Sequence, residues 1–123
     1  MRELAAPVVL AVAVLASPAA AGAHAVLVNS IPAARMVLSY PPGRVDLWFN
    51  ERLEPAWSTL SVWSASGTQV DRRDTIVSPE DPKRLSVTLG TLGPGMYTVR
   101  FRVLSVDAHV VESSFVFTVE AKP

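Results

Sequence analysis

Two histidines and one carboxylate have the residue types and positions of a metal site: His24, His109 and Asp107. His24 follows Ala21-Gly22-Ala23, a small-residue sequence at which signal peptidases cut. Cleavage there would give His24 a free α-amine beside its imidazole, so that one residue could chelate a metal ion through two nitrogens. Nitrogen ligands in a square arrangement suit Cu(II).

Asp107 and His109 are separated by one residue, and in an extended segment such a pair projects to the same side. An antiparallel β fold can bring a late strand beside the first one, which would let His109 meet His24 at one rim. The set would then contain three nitrogens and the Asp107 carboxylate, as a further ligand or as a group that orients a ligand. Zn(II) could occupy such a site, but the free amine favours Cu(II).

The first 23 residues have the three parts of a secretory signal peptide. Met1-Arg2-Glu3 and the α-amine give a net positive start, and an apolar stretch over residues 4–16 precedes the cleavage sequence. This stretch is shorter than a membrane-spanning helix requires. We therefore predict that residues 1–23 are removed, and that residues 24–123 form a single exported domain without a membrane span.

The elements that must position the metal ligands are β-strands. Four segments alternate apolar and polar residues with a period of two, which is typical of strands with one face in a core. Their apolar positions are Val45, Leu47 and Phe49; Leu60 and Val62; Tyr97, Val99, Phe101 and Val103; and Phe115, Phe117 and Val119. Shorter strands are predicted over residues 25–29, 69–77 and 84–89. About seven strands separated by Gly and Pro turns predict an all-β Greek-key sandwich or barrel.

Composition excludes several classes of protein. The chain has 11 basic and 11 acidic residues and no basic stripe, so no nucleic-acid partner is expected. It has no cysteine, which excludes disulfides, thiolate ligands and a lipidated cysteine anchor.

These motifs together resemble the CopC family of bacterial copper-resistance proteins. The resemblance begins at His24-Ala25 and extends over nearly the whole predicted mature chain. Its further segments are Asn29-Ser30-Ile31-Pro32-Ala33, Pro41-Pro42, Val45-Asp46-Leu47-Trp48-Phe49-Asn50-Glu51, Leu53-Glu54-Pro55-Ala56, Gly95-Met96-Tyr97-Thr98-Val99-Arg100-Phe101-Arg102-Val103, Ser105-Val106-Asp107-Ala108-His109 and Ser113-Ser114-Phe115-Val116-Phe117-Thr118-Val119.

The resemblance implies a cupredoxin-like, immunoglobulin-like Greek-key fold that binds one Cu(II) ion in the periplasm. It implies ligation by the amine and ring of His24 and by His109, with Asp107 close to the metal. Glu51 matches a family position sometimes placed near the copper. The implied role is copper sequestration, storage or delivery to a membrane copper transporter, and not enzymatic catalysis.

Two features depart from patterns found in the family. Ala108 stands where the family often has glycine. Some members carry a methionine-rich segment for Cu(I), whereas Met36 and Met96 are isolated in this sequence, which predicts core residues and a Cu(II)-only protein.

Two other functions fit parts of the sequence. An amino-terminal histidine with a second histidine is also the copper arrangement of polysaccharide monooxygenases, although those enzymes are larger. A metal-free interaction sandwich is the other alternative, because sandwich folds host many functions. Trp48 and Trp63 lie at the polar-alternating positions of their strands, so they form either an exposed stacking pair or a loop-covered one. Trp57, beside Pro55, is predicted to pack at a strand entry.

Overall fold

The computed structural model describes residues 25–121, which form eight β-strands and one short 3-10 helix. The elements are β1 (Leu27–Ile31), β2 (Val37–Leu38), β3 (Arg44–Phe49), the 3-10 helix (Pro55–Trp57), β4 (Thr59–Ser64), β5 (Ile76–Val77), β6 (Arg84–Thr88), β7 (Gly95–Leu104) and β8 (Val110–Val119). Within this range, no helix is long and apolar enough to cross a membrane.

The strands form two separate four-stranded sheets. One sheet has the order β1-β3-β6-β5 and the other has the order β2-β8-β7-β4. Neighbouring strands are antiparallel except for the short parallel pair of β2 and β8. The predicted all-β sandwich is therefore confirmed, whereas the described strands do not close into the barrel given as its alternative.

The core lies between the sheets and is built from the positions that alternation predicted. Every second residue of β3, from Val45 to Phe49, is at most 2% exposed. The odd-numbered residues of β7 from Tyr97 to Val103 are buried in the same alternating way. The Phe49 and Phe101 rings meet edge to face at 5.4 Å and join the two sheets. Burial of one such large side chain stabilises the fold by about 1.5–3 kcal/mol.

The strand predicted over residues 69–77 is wrong in extent, because only Ile76–Val77 form β5. The buried Asp71 carboxylate accepts hydrogen bonds from the backbone N–H groups of Val62 (2.8 Å) and Arg73 (2.9 Å). The backbone of residues 68–70 also bonds to β4, with Val70 N–H donating to the Val62 carbonyl, but the pairing is an isolated bridge and not a continuous ladder. The first strand is also displaced, to Leu27–Ile31 from the predicted 25–29.

The methionines and Trp57 do not pack in the core as predicted. Met36 and Met96 are 40% and 56% exposed, and Trp57 is 65% exposed. Met96 lies at an outward-facing position of β7. Trp57 is the last residue of the 3-10 helix, and no residue of that helix is buried.

Trp48 and Trp63 do not form a stacking pair. They belong to different sheets, and each alternates with inward-facing neighbours, so they lie on opposite outer faces of the sandwich. The guanidinium of Arg100 lies 5.3 Å from the centre of the Trp63 ring and covers it. A flat two-tryptophan platform for sugars is therefore absent from the described residues.

Candidate metal centre

Asp107 and His109 lie at one end of the sandwich, where four strands begin or finish. Leu27 at the start of β1 pairs with Phe49 at the end of β3, and Leu104 at the end of β7 pairs with Val110 at the start of β8. Because Phe49 contacts Phe101, these ends of the two sheets are adjacent. The topology therefore brings the beginning of the described chain to the same end as the β7–β8 loop, residues 105–109.

The β7–β8 loop is a tight connection with its backbone groups paired. The Ser105 N–H donates to the His109 carbonyl at 3.0 Å, and the Ala108 N–H donates to the Ser105 carbonyl at 2.9 Å. The Val106 N–H donates to the Arg52 carbonyl at 2.9 Å, which ties the loop to the segment that follows β3. The loop is thus held by both sheets.

Ser105 organises the loop from inside. Its side chain is fully buried, and its hydroxyl donates a hydrogen bond to the Oδ1 atom of Asp107. The same Oγ atom accepts a hydrogen bond from the His109 N–H at 3.3 Å. Sequence reasoning gave Ser105 no role, and the available signal was a small hydroxyl residue two positions before Asp107.

The side chains of Asp107 and His109 lie together, with Oδ1 of Asp107 3.4 Å from Nδ1 of His109. Both side chains are partly exposed, at 36% and 40%, so an ion from solvent can reach them. The Ser105 hydroxyl and then His109 lower the pKa of the Asp107 carboxyl below its ordinary value of 3.8. The loop therefore presents an ionised carboxylate beside an imidazole at neutral pH.

Ala108, between these two residues, has a left-handed backbone with φ of 73°. A residue with a Cβ atom is disfavoured in this region by about 1–2 kcal/mol, whereas glycine adopts it without steric cost. Ala108 thus has a backbone geometry that favours glycine, and it stands where the family often has glycine.

His24 lies outside the described residues, and the described chain begins at Ala25. Ala25 is 1% exposed and borders an open cavity of about 380 Å³. Val111, at the start of β8, lines the same cavity. The described part of the chain thus begins beside the cavity that Val111, two residues after His109, also lines.

No group of three or more His, Cys, Asp or Glu side chains within residues 25–121 could hold a metal ion. Glu51 is half-buried and does not complete such a group with Asp107 and His109. A third histidine or carboxylate ligand for this pair would therefore come from outside the described residues. His24 is the chain's other histidine.

Ser105→Ala is expected to destabilise the metal-free protein by about 1 kcal/mol, because the partly buried His109 N–H loses its partner. The pKa of Asp107 is expected to rise towards 3.8. A carboxyl whose pKa is lower in the folded protein than in the unfolded one stabilises the fold at pH values above its unfolded pKa. This stabilisation is lost as the pH falls through the pKa of the folded protein. Urea unfolding and an NMR titration of the carboxyl measure the two effects. An unchanged Asp107 pKa would contradict the assigned role of the hydroxyl.

Known proteins match this chain over most of its length. The CopC domain family matches residues 27–120. Protein YobA of Escherichia coli (strain K12) is 31% identical over 99 residues, which cover 80% of each chain. Copper resistance protein C of Xanthomonas campestris pv. juglandis is 31% identical in an alignment of 134 positions, gaps included, that covers 97% of each chain.

A solved structure has the same fold. The crystal structure of CopC from Methylosinus trichosporium OB3b superimposes with a TM-score of 0.75 and 34% sequence identity. The match covers 81% of this chain and 97% of that one.

Proposed function

The chain belongs to the CopC domain family, and from this premise we propose that it binds Cu(II) in the periplasm for sequestration, storage or delivery to a membrane copper transporter. The name of one relative, copper resistance protein C, supports a copper-related role. The observation that carries the proposal is the partly exposed Asp107–His109 pair, at the end of the sandwich where the described chain begins.

We propose that signal peptidase removes residues 1–23 and makes His24 the first residue of a single domain, residues 24–123. The α-amine and imidazole of His24 then supply two nitrogens, and His109 supplies a third. Three nitrogens without any thiolate favour Cu(II). One ion binds per domain.

The Asp107–His109 contact supports a particular role for each group. Nδ1 of His109 lies 3.4 Å from the carboxylate, and we assign the other ring nitrogen, Nε2, to the copper ion. A carboxylate beside the second ring nitrogen of a metal-bound histidine fixes the tautomer and the ring orientation. Asp107 therefore orients His109 and offsets part of the copper charge.

The mass of the exported protein, measured under native conditions with and without added Cu(II), tests the processing and the binding together. We expect a chain that begins at His24 and gains one copper ion. His109→Gln, exported and purified in the same way, is the control and is expected to lose most of the bound copper. A chain that begins at another residue, or equal copper retention by the control, would contradict the proposal.

A further inference from the structure

Asn50 links the start of the described chain to the end of β3 through two hydrogen bonds with one residue, Val26. The Val26 N–H donates to Oδ1 of Asn50 at 2.6 Å, and the Asn50 N–H donates to the Val26 carbonyl at 3.1 Å. Both distances are consistent with hydrogen bonds, the first at the short limit of the usual range. Asn50 thus holds both backbone polar groups of Val26.

We propose that Asn50 is a positioning residue for copper binding, acting through Val26 on the residue two positions earlier, His24. The inference rests on the proposed function, because it assumes that His24 supplies copper ligands. It adds a residue outside the proposed set of His24, Asp107 and His109, and it gives the Asn50 carboxamide a defined task.

The location of the Asn50–Val26 link supports this task. It lies just before the strand ladder, which starts with the pair Leu27 and Phe49. Without the Asn50 side chain, the Val26 N–H loses its acceptor, and Val26 gains backbone freedom that copper binding through His24 must then remove. The conformational entropy of ordering one residue corresponds to roughly a tenfold change in an equilibrium constant.

The side chain of Asn50 acts through its oxygen. That oxygen is occupied by the Val26 N–H, so Asn50 is assigned no direct bond to copper. Aspartate at this position keeps an acceptor oxygen at the same reach, whereas alanine removes it. The two substitutions therefore separate loss of the hydrogen bond from other consequences of changing the residue.

The test compares the Cu(II) affinities and EPR spectra of Asn50→Ala, Asn50→Asp and Asn29→Ala, each processed to begin at His24. Asn29→Ala is the matched control, because Asn29 is an exposed asparagine of β1. We expect Asn50→Ala to bind Cu(II) about 10–100-fold more weakly, as is typical when a group supporting a metal ligand is lost. Asn50→Asp should restore the affinity and the wild-type EPR spectrum, and Asn29→Ala should resemble wild type.

Affinities are compared at high ionic strength, where the charge that aspartate adds at the surface is screened. Asn50 is exposed, so truncation leaves the core intact. Asn50→Gln, whose oxygen is displaced by one methylene, is the second variant and should also bind copper more weakly. Wild-type affinity in Asn50→Ala, or no recovery in Asn50→Asp, would overturn the proposal.

His24→Ala distinguishes this inference from the proposed function. If His24→Ala leaves copper binding unchanged, the proposed function fails, and the inference fails with it. If His24→Ala abolishes tight binding while Asn50→Ala does not weaken it, only the inference about Asn50 is wrong.

Discussion

Replacing His24 with alanine, in protein processed to begin at that position, is expected to lower the Cu(II) affinity by more than about 100-fold. The loss of a group that merely supports a metal ligand typically costs 10–100-fold. Removing a ligand itself should cost more, because the chelate formed by the amine and the imidazole is broken. Competition against a chromophoric Cu(II) chelator at neutral pH measures the change.

The fold of His24→Ala should be unaffected, because the hydrophobic core that residues 25–121 form does not require the His24 side chain. The thermal unfolding midpoint of the metal-free variant is therefore expected to match that of wild type, while the stabilisation by added copper is lost. Stabilisation by a ligand grows with the ratio of its concentration to its dissociation constant. Unchanged copper binding would leave a different copper site or a metal-free interaction sandwich as the remaining interpretations.

The sequence predicts the interior of the sandwich well because burial in a strand follows a period of two. Val45, Leu47 and Phe49 are buried where alternation placed them. The same rule fails over residues 69–77, where the Asp71 carboxylate takes up the backbone N–H of Val62. Such a bond joins residues nine positions apart, and the alternation of apolar and polar residues does not reveal it.

The candidate site, like the fold, was predicted only in part. The sequence predicted that the Asp107 and His109 side chains lie together, and the structure has them 3.4 Å apart. The predicted reason was wrong, because this segment is a turn with a left-handed Ala108 and not an extended strand. The hydrogen bonds of Ser105 and Asn50 were not predictable, because serine and asparagine are common in loops and these bonds depend on burial and on a partner 24 residues away. The place of His24 in the site stays a prediction, since that residue lies outside the described ones.

Acidification is expected to release copper steeply below about pH 6. Model α-amines hold a proton below about pH 8 and model imidazoles below about pH 6.5, and a protonated nitrogen cannot bind a metal ion. With three nitrogen ligands, copper binding at acid pH displaces three protons, so the affinity should fall roughly 1000-fold per pH unit. Chelator competition at several pH values, corrected for the chelator's own protonation, measures this slope.

The slope of this pH dependence separates the nitrogen ligands from the carboxylate. The pKa of Asp107 lies below 3.8 because the Ser105 hydroxyl donates to the carboxylate, so Asp107 stays ionised while the nitrogens take up protons. Its titration therefore adds nothing to the slope between pH 5 and pH 6. His24→Ala removes one imidazole and should reduce the number of displaced protons from about three to about two. Equal copper affinity at pH 5 and pH 7 would exclude the ligand set of one amine and two imidazoles.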